Sequence, residues 1–514
     1  MSRLVRYLST GFFAVIVSCL ILTDASNPLV TKYHLLALGL LLGGVGFTVY
    51  GAEVYGADGR FVILLFTYIL SMLVLLGVVF RRMGPGFPQP GRAAKLTLIT
   101  SLFFFFIFVS PRQQRYLQRA GIFLLAFVVL FSVHLFYVMP IVDPATSGTA
   151  AFFIIAGFMT GLNLFVIPRY VPRNAFLWTV SFFSAALMLL GFLSYSGAFS
   201  FFGLPVAPWD RTFTPMFVDS EVYILTSVFP NPNTLGVVGF AGTIASVLLV
   251  TRAFPRRKQN DQQQQVHTDG GSATVSTFPF VVSLGLSFVA GALFVVNAFG
   301  TYLTNSRASY FAVGTALALY SVYLIFGRRA LPFAVVGLIG SVFLFILLMP
   351  VLGISSTGRF ELWAGSIAAA FDGPLLFGRG LVAVGDTIAP YVSGSASGYS
   401  PHNSYLSILI RTGVIGFSAY VFIVVGSLFR GVFQSARVDV PALVLAFGFA
   451  THQIFEAYTI FHHTLPAVLA SLSAGYLIMN GAWVDVAEID ERERRRRNSR
   501  GAGTSAWSRP EWER

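Results

Sequence analysis

The amino-acid sequence predicts an all-α fold, a polytopic transmembrane helix bundle of about 12–14 spans with two long outward-facing loops. Three observations carry this. First, 55% of the residues are hydrophobic and only 11% charged, whereas soluble domains carry roughly a quarter charged residues. A chain of 514 residues so poor in charge cannot cover a water-facing surface, and a bilayer suits it. Second, apolar runs close to the ~20 residues that cross the hydrocarbon recur along the chain. Third, these runs do not alternate in polarity as barrel strands do, and a bilayer forces each backbone amide to pair within its own segment.

The runs place helices at about 9–24, 33–52, 60–80, 94–110, 120–140, 148–168, 175–196, 233–251, 279–301, 308–326, 331–350, 404–426, 440–460 and 464–482. The first resembles a signal peptide, with Arg3 and Arg6 before its apolar run, but Leu22-Thr23-Asp24-Ala25 is a poor cleavage site and an uncleaved helix is expected. Cys19 is the single cysteine, so no disulfide framework forms within the chain. Residues 1–119 form an N-terminal group of helices and residues 120–482 a transmembrane core. That core holds the outer loops 197–232 and 351–403 and a polar loop, 256–277, expected to be disordered. Residues 483–514 read as a disordered basic tail. No internal repeat is visible, which argues against an inverted-repeat transporter.

Basic residues orient the bundle. With the C-terminus in the cytoplasm, most of the 34 Lys and Arg residues fall inside, among them Arg173, Arg252, Arg328, Arg329, Arg430 and the arginine-rich tail. Lys32, Arg211, Arg307, Arg359, Arg379 and Arg411 fall outside or at outer helix ends. Arg81, Arg82, Arg92 and Lys95 break the pattern, and span 94–110 is the weakest reading, so the first four crossings are the least fixed. The net charge of +13 is a topology signal with attraction to anionic lipid, and does not imply nucleic acid.

The outer face holds the candidate chemistry. Arg307 opens a helix after Ser306, Arg359 sits in Gly358-Arg359-Phe360-Glu361-Leu362-Trp363, and Arg379 sits in Gly378-Arg379-Gly380. His402 stands before a span in Pro401-His402-Asn403-Ser404-Tyr405-Leu406. A guanidinium fork matches a phosphate or carboxylate, and a histidine can take a proton from a hydroxyl near neutral pH. Arginines and a histidine at one outer interface outline a glycosyl or phosphoryl transfer site for a lipid-linked substrate. A lone arginine at a helix mouth more often snorkels or caps, so it is the grouping that matters. Arg211, Asp219 and Glu221 in the first loop are further contacts for substrate. His452 and Glu456, four apart and so on one helix face, read as a polar packing cluster rather than a metal site. No P-loop, HExxH or dinucleotide unit is present in the sequence.

These residues carry a resemblance. Pro401-His402-Asn403-Ser404-Tyr405-Leu406 followed by Gly413-Val414-Ile415-Gly416 resembles the "HN-x-x-L … G-x-x-G" element of the O-antigen ligase and O-antigen polymerase superfamily. Gly358-Arg359 with Trp363, then Pro374 with Gly378-Arg379-Gly380, resembles its "GR-x-x-x-W … P-x-x-G-x-G" element. Ser306-Arg307 resembles its "S-R" element, and Asn231-Pro232-Asn233 with Gly236 its "PN-x-x-G" element. The elements stand in the family's order over about residues 230–420. The resemblance implies a metal-independent, cofactor-free glycosyltransferase of the cytoplasmic membrane, with its site facing outward. It would move a glycan from a polyprenyl-diphosphate carrier to an acceptor hydroxyl on a glycan, lipid or protein.

By the same resemblance Arg307 and Arg359 would hold the diphosphate, and His402 would position or deprotonate the acceptor. Arg379, Asn403, Tyr405, Arg211, Glu221, Asn233 and Glu361 would line the substrate. At Arg411 the sequence departs from the family, which often carries an acidic residue there; Glu361 or Glu456 could compensate. A secondary transporter or flippase for a polysaccharide precursor or another anionic solute is the alternative. It should place ionisable groups near mid-bilayer, whereas here they sit at the outer edge.

Overall fold

The computed structural model describes residues 120–134, most of 157–253, and 278–479 apart from short breaks. The first four expected spans, the polar loop 256–277 and the tail 483–514 lie outside the described residues. The helices are α1 (Ile122–Ser132), α2 (Arg173–Leu193), α3 (Pro232–Ala253), α4 (Phe278–Leu303), α5 (Arg307–Phe326), α6 (Leu331–Leu348), α7 (Arg359–Phe371), α8 (Val384–Ile388), α9 (Ser404–Phe433) and α10 (Val440–Phe455). The apolar helix α11 (Leu465–Met479) follows. Among the described residues six helices are long and apolar enough to cross a membrane. The chain is a mostly helical, polytopic integral membrane bundle.

Local sequence explains where the helices begin. Asn231 precedes α3, and its side-chain oxygen accepts from the Asn233 N–H at 2.8 Å, while Pro232 occupies the first helical position. Asp439 caps α10 by accepting from the Ala442 N–H at 3.2 Å, ahead of Pro441. The same carboxylate pairs with Arg173 at 2.7 Å and so ties the start of α2 to the start of α10. Tyr420, Phe176, Phe240, Phe447 and Phe449 fill the centre of the core, and α3 runs through it. Helix α6 is its opposite, with Phe333, Phe343, Leu344 and Leu347 exposed as a lipid-facing surface would be.

The alternating chain direction sorts the helix ends into two groups. Thr251–Tyr320, Arg173–Asp439 and Arg430 over Phe123 mark one end, where Arg328 and Arg329 also fall. The amino ends of α3, α5, α7 and α9 and the carboxyl end of α10 meet at the other. Two loops cover this second end. The first holds the antiparallel pairs β1 (Phe199–Phe201) with β2 (Leu204–Val206) and β3 (Thr212–Phe213) with β4 (Val222–Tyr223). It is anchored by Leu225 N–H to Leu303 O at 2.9 Å and Met216 N–H to the Tyr302 hydroxyl at 2.7 Å. The second packs α7 and α8 over Leu362, Ala369, Val384 and Ile388 against Ile410 of α9.

Two expected helices are corrected. The run 404–426 is not one straight span: α9 extends to Phe433 and breaks at Gly413, whose φ of 61° and ψ of −166° are open only to glycine. The segment 374–380 fills the break. Arg379 and Gly380 donate their N–H groups to the Ile410 and Arg411 carbonyls at 2.7 and 3.1 Å. The Val414 and Ile415 N–H groups reach the Leu375 and Leu376 carbonyls at 2.8 and 3.2 Å. A helix interrupted in a membrane protein needs such partners, because lipid supplies none. Residues 414–433 alone reach about 30 Å, the thickness of the hydrocarbon.

The second correction is at 440–460. Helix α10 stops at Phe455, and Glu456 is extended with φ of −141° and ψ of 145°. The Ser404 hydroxyl, bonded to the Glu456 and Tyr458 carbonyls at 2.7 and 2.8 Å and to the Tyr458 N–H at 3.0 Å, replaces the lost helical partners. His452 and Glu456 therefore do not share a helix face.

Candidate active site

The turn out of α10 carries Glu456 into the junction of four helix starts. Its Oε1 accepts from Asn233 Nδ2 at 2.7 Å and from Arg359 Nη2 at 3.2 Å. Its Oε2 lies 3.5 Å from His402 Nδ1. Three residues from three separate sequence elements thus converge on one carboxylate. The side chains of Arg359 and Glu456 are 20% and 11% exposed, and His402 is 34% exposed, so the imidazole is the outward member. Burial pushes the Arg359 guanidinium below its ordinary pKa, Glu456 pulls it back up, and the positive charge of Arg307 pushes it down again. Arg307, exposed at the first position of α5, is therefore close enough for Arg359 to feel its field.

Each position has a local cause. His402 has φ of 46°, and Asn305, just before Ser306-Arg307, has φ of 48°. Non-glycine residues seldom hold such values unless their surroundings fix them. His402 is fixed on both sides. Trp363 Nε1 donates to the Pro401 carbonyl at 2.8 Å, and Asn403 Oδ1 caps α9 by accepting from the Leu406 N–H at 3.0 Å. Phe455 packs edge-on against Phe311, and Trp363 lies beside it with ring centroids 6.0 Å apart, joining α5, α7 and α10 beneath the charges. Gly236 lets α5 approach α3: a Cβ there would lie 2.6 Å from Ser309 Oγ and 2.7 Å from Ser306 Cβ.

The remaining candidates are placed differently. Tyr405 is turned inward, its hydroxyl donating to the Ala450 carbonyl at 2.9 Å. Arg379 donates through Nε to the Ala369 carbonyl at 3.1 Å, beside the Tyr391–Asp372 hydrogen bond. Glu361 is exposed and accepts from the Ser393 N–H and hydroxyl, both at 2.7 Å, which hold its carboxyl below the usual range. It is thus occupied away from His402, and Glu456 holds the acidic place beside the imidazole. Arg211 and Glu221 lie exposed on the first loop, where Glu221 accepts from the Thr212 hydroxyl at 2.6 Å. Among the described residues no group of His, Cys, Asp and Glu is suited to a metal ion.

From the sequence Glu456 reads as half of a helix-face cluster with His452, or as one of two carboxylates that could compensate for Arg411, and not as the centre of the site. Its signal is a carboxylate inside an otherwise apolar run, which is costly there unless used.

Residues 292–421 match a family model described as O-Antigen ligase. No curated protein matches the chain. The matched segment contains Arg307, Arg359, Arg379 and His402, while Asn233 and Glu456 flank it on either side. The ordered motifs, the helical membrane bundle and this match agree: the chain carries, over residues 292–421, the domain of the O-antigen ligase and O-antigen polymerase superfamily.

Proposed function

We propose that this protein is a glycosyltransferase that moves a glycan from a polyprenyl-diphosphate carrier to an acceptor hydroxyl at the outer face of the cytoplasmic membrane. The carrying observation is the convergence of Arg359 and His402 on Glu456, with Arg307 near enough to act on Arg359 through its charge. An anion that reaches both guanidiniums would offset their mutual repulsion. A diphosphate is such an anion, and its fork-shaped oxygen pairs suit guanidinium.

The chemistry follows from this placement. The acceptor oxygen attacks the anomeric carbon, and the bond from that carbon to the diphosphate oxygen breaks. The bonding electron pair leaves with the diphosphate, whose charge rises as it departs. Arg307 and Arg359 therefore bind the transition state more strongly than the ground state. His402 turns Nδ1 toward Glu456, which leaves Nε2 to take the acceptor's proton, with the carboxylate stabilising the imidazolium that results. Asn233 holds Glu456 in place through its 2.7 Å bond. Arg379, Asn403 and Tyr405 shape the walls by fixing the segment 374–380 and the start of α9. Arg211, Glu221 and Glu361, on the covering loops, meet the glycan. No metal or organic cofactor enters this scheme.

The test supplies purified protein with a polyprenyl-diphosphate glycan and candidate acceptors. His402→Ala is expected to abolish transfer while the protein keeps its thermal unfolding profile. Full transfer by that variant would remove His402 from the reaction.

A further inference from the structure

The geometry points to His452 as a positioning residue that fixes Arg307 through a buried two-serine relay; the inference rests on the reading of Arg307 as a diphosphate-holding residue. His452 is fully buried in the last turn of α10, between Phe240 and Tyr458, with ring centroids 6.3 and 5.5 Å away. Its Nε2 lies 3.1 Å from Ser309 Oγ. Ser309 in turn donates its hydroxyl to Ser306 Oγ at 2.9 Å. A hydroxyl has one proton to give. With that proton committed to Ser306, Ser309 can only accept from the imidazole, so Nε2 carries hydrogen and Nδ1 is bare.

Ser306 is the residue that caps α5, directly before Arg307, and its side chain makes no capping bond. Its orientation is set from Ser309 instead. Both serines are pressed against Gly236 of α3, where even one added carbon would lie within 2.7 Å of them. The His452 carbonyl also accepts the Glu456 N–H at 3.1 Å, where α10 ends. One residue therefore touches both elements, its imidazole the helix start that bears Arg307 and its backbone carbonyl the turn that bears Glu456.

Packing alone does not account for a histidine here. An apolar side chain of similar size would fill the gap between Phe240 and Tyr458 without burying polar nitrogens. Nδ1 is buried with no hydrogen-bond partner among the described residues, and such a group is costly. What the imidazole supplies beyond bulk is the single N–H to Ser309.

The test measures binding of farnesyl diphosphate to the detergent-purified full chain. His452→Phe keeps the stacked ring and deletes the donor; it is expected to weaken binding about tenfold, equal to about 1.4 kcal/mol. His452→Gln, which returns an amide N–H near the Nε2 position, is expected to recover affinity to within about threefold of wild type. In an Arg307→Ala background, His452→Phe should cost nothing further, because the relay acts only through that arginine. Should His452→Phe fail to fold, Ser309→Ala cuts the same link by one oxygen and is expected to weaken binding about fivefold.

The inference is overturned if wild type binds and Arg307→Ala weakens it, yet the His452 and Arg307 effects simply add. It is equally overturned if Gln is no better than Phe. If wild-type protein binds no diphosphate, or Arg307→Ala binds as wild type, the functional reading itself falls and takes this inference with it.

Discussion

Substituting alanine at Gly413 tests whether the break in α9 is a built feature. The backbone there has φ of 61° and ψ of −166°, a region that costs a residue with a Cβ about 1–3 kcal/mol. The added carbon would also overlap the Leu376 carbonyl group in the inserted segment. Relief requires that segment to retreat from its four backbone hydrogen bonds, which involve Arg379, Gly380, Val414 and Ile415. Each contributes about 1 kcal/mol net, so losing two brings the expected cost to roughly 3–5 kcal/mol. Thermal unfolding in detergent measures the total, and hydrogen exchange at those four amides locates it. Gly314→Ala is the internal control. It lies within α5 with nothing near a new Cβ, and should raise stability by about 0.5–1 kcal/mol through helix propensity. If Gly413→Ala unfolds like wild type with all four amides still protected, the inserted-loop reasoning is wrong.

Two further outcomes are expected. Glu456→Gln keeps an oxygen for Asn233 and Arg359 but removes the charge facing His402; transfer should fall about a hundredfold, about 3 kcal/mol of barrier, with the fold retained. Wild-type turnover in that variant would exclude a role for the carboxylate. The Glu361 carboxyl, held low by Ser393, contributes stability that is present above the unfolded carboxylate value of about 4.3. That contribution is lost as pH falls through the lower folded value. Ser393→Ala should return the carboxyl toward its ordinary range, read by NMR of labelled glutamate; an unmoved titration refutes the assignment.

Hydropathy located the long helices well: α3, α5 and α6 begin and end within two residues of the expected 233–251, 308–326 and 331–350. Those segments are uniformly apolar, and their ends coincide with Asn231-Pro232, Ser306-Arg307 and Gly327-Arg328. The motifs at 231–236, 306–307, 358–363 and 401–406 lie at the starts of α3, α5, α7 and α9. The break at Gly413 was invisible to the same signal, because Val414-Ile415-Gly416-Phe417 is as apolar as any span. The partners that make the break tolerable, residues 374–380, lie in a different part of the sequence. The central place of Glu456 was hidden for a related reason, although it was one of two carboxylates named as able to compensate for Arg411. The four-residue spacing from His452 suggests a shared helical face only while the helix continues, and the helix ends at Phe455, where Ser404 bonds the turn. Arg379 and Glu361 were recognisable as charged loop residues, but not as residues already engaged by Ala369 and Ser393.

The division of α9 at Gly413 also has a mechanical meaning. Residues 404–412 and residues 414–433 are both stitched to the inserted segment, the first through the Ile410 and Arg411 carbonyls and the second through the Val414 and Ile415 N–H groups. The segment therefore works as a splint across the break: it bonds to both pieces of α9, so the short piece that follows His402 is braced from the side as well as by its own continuation.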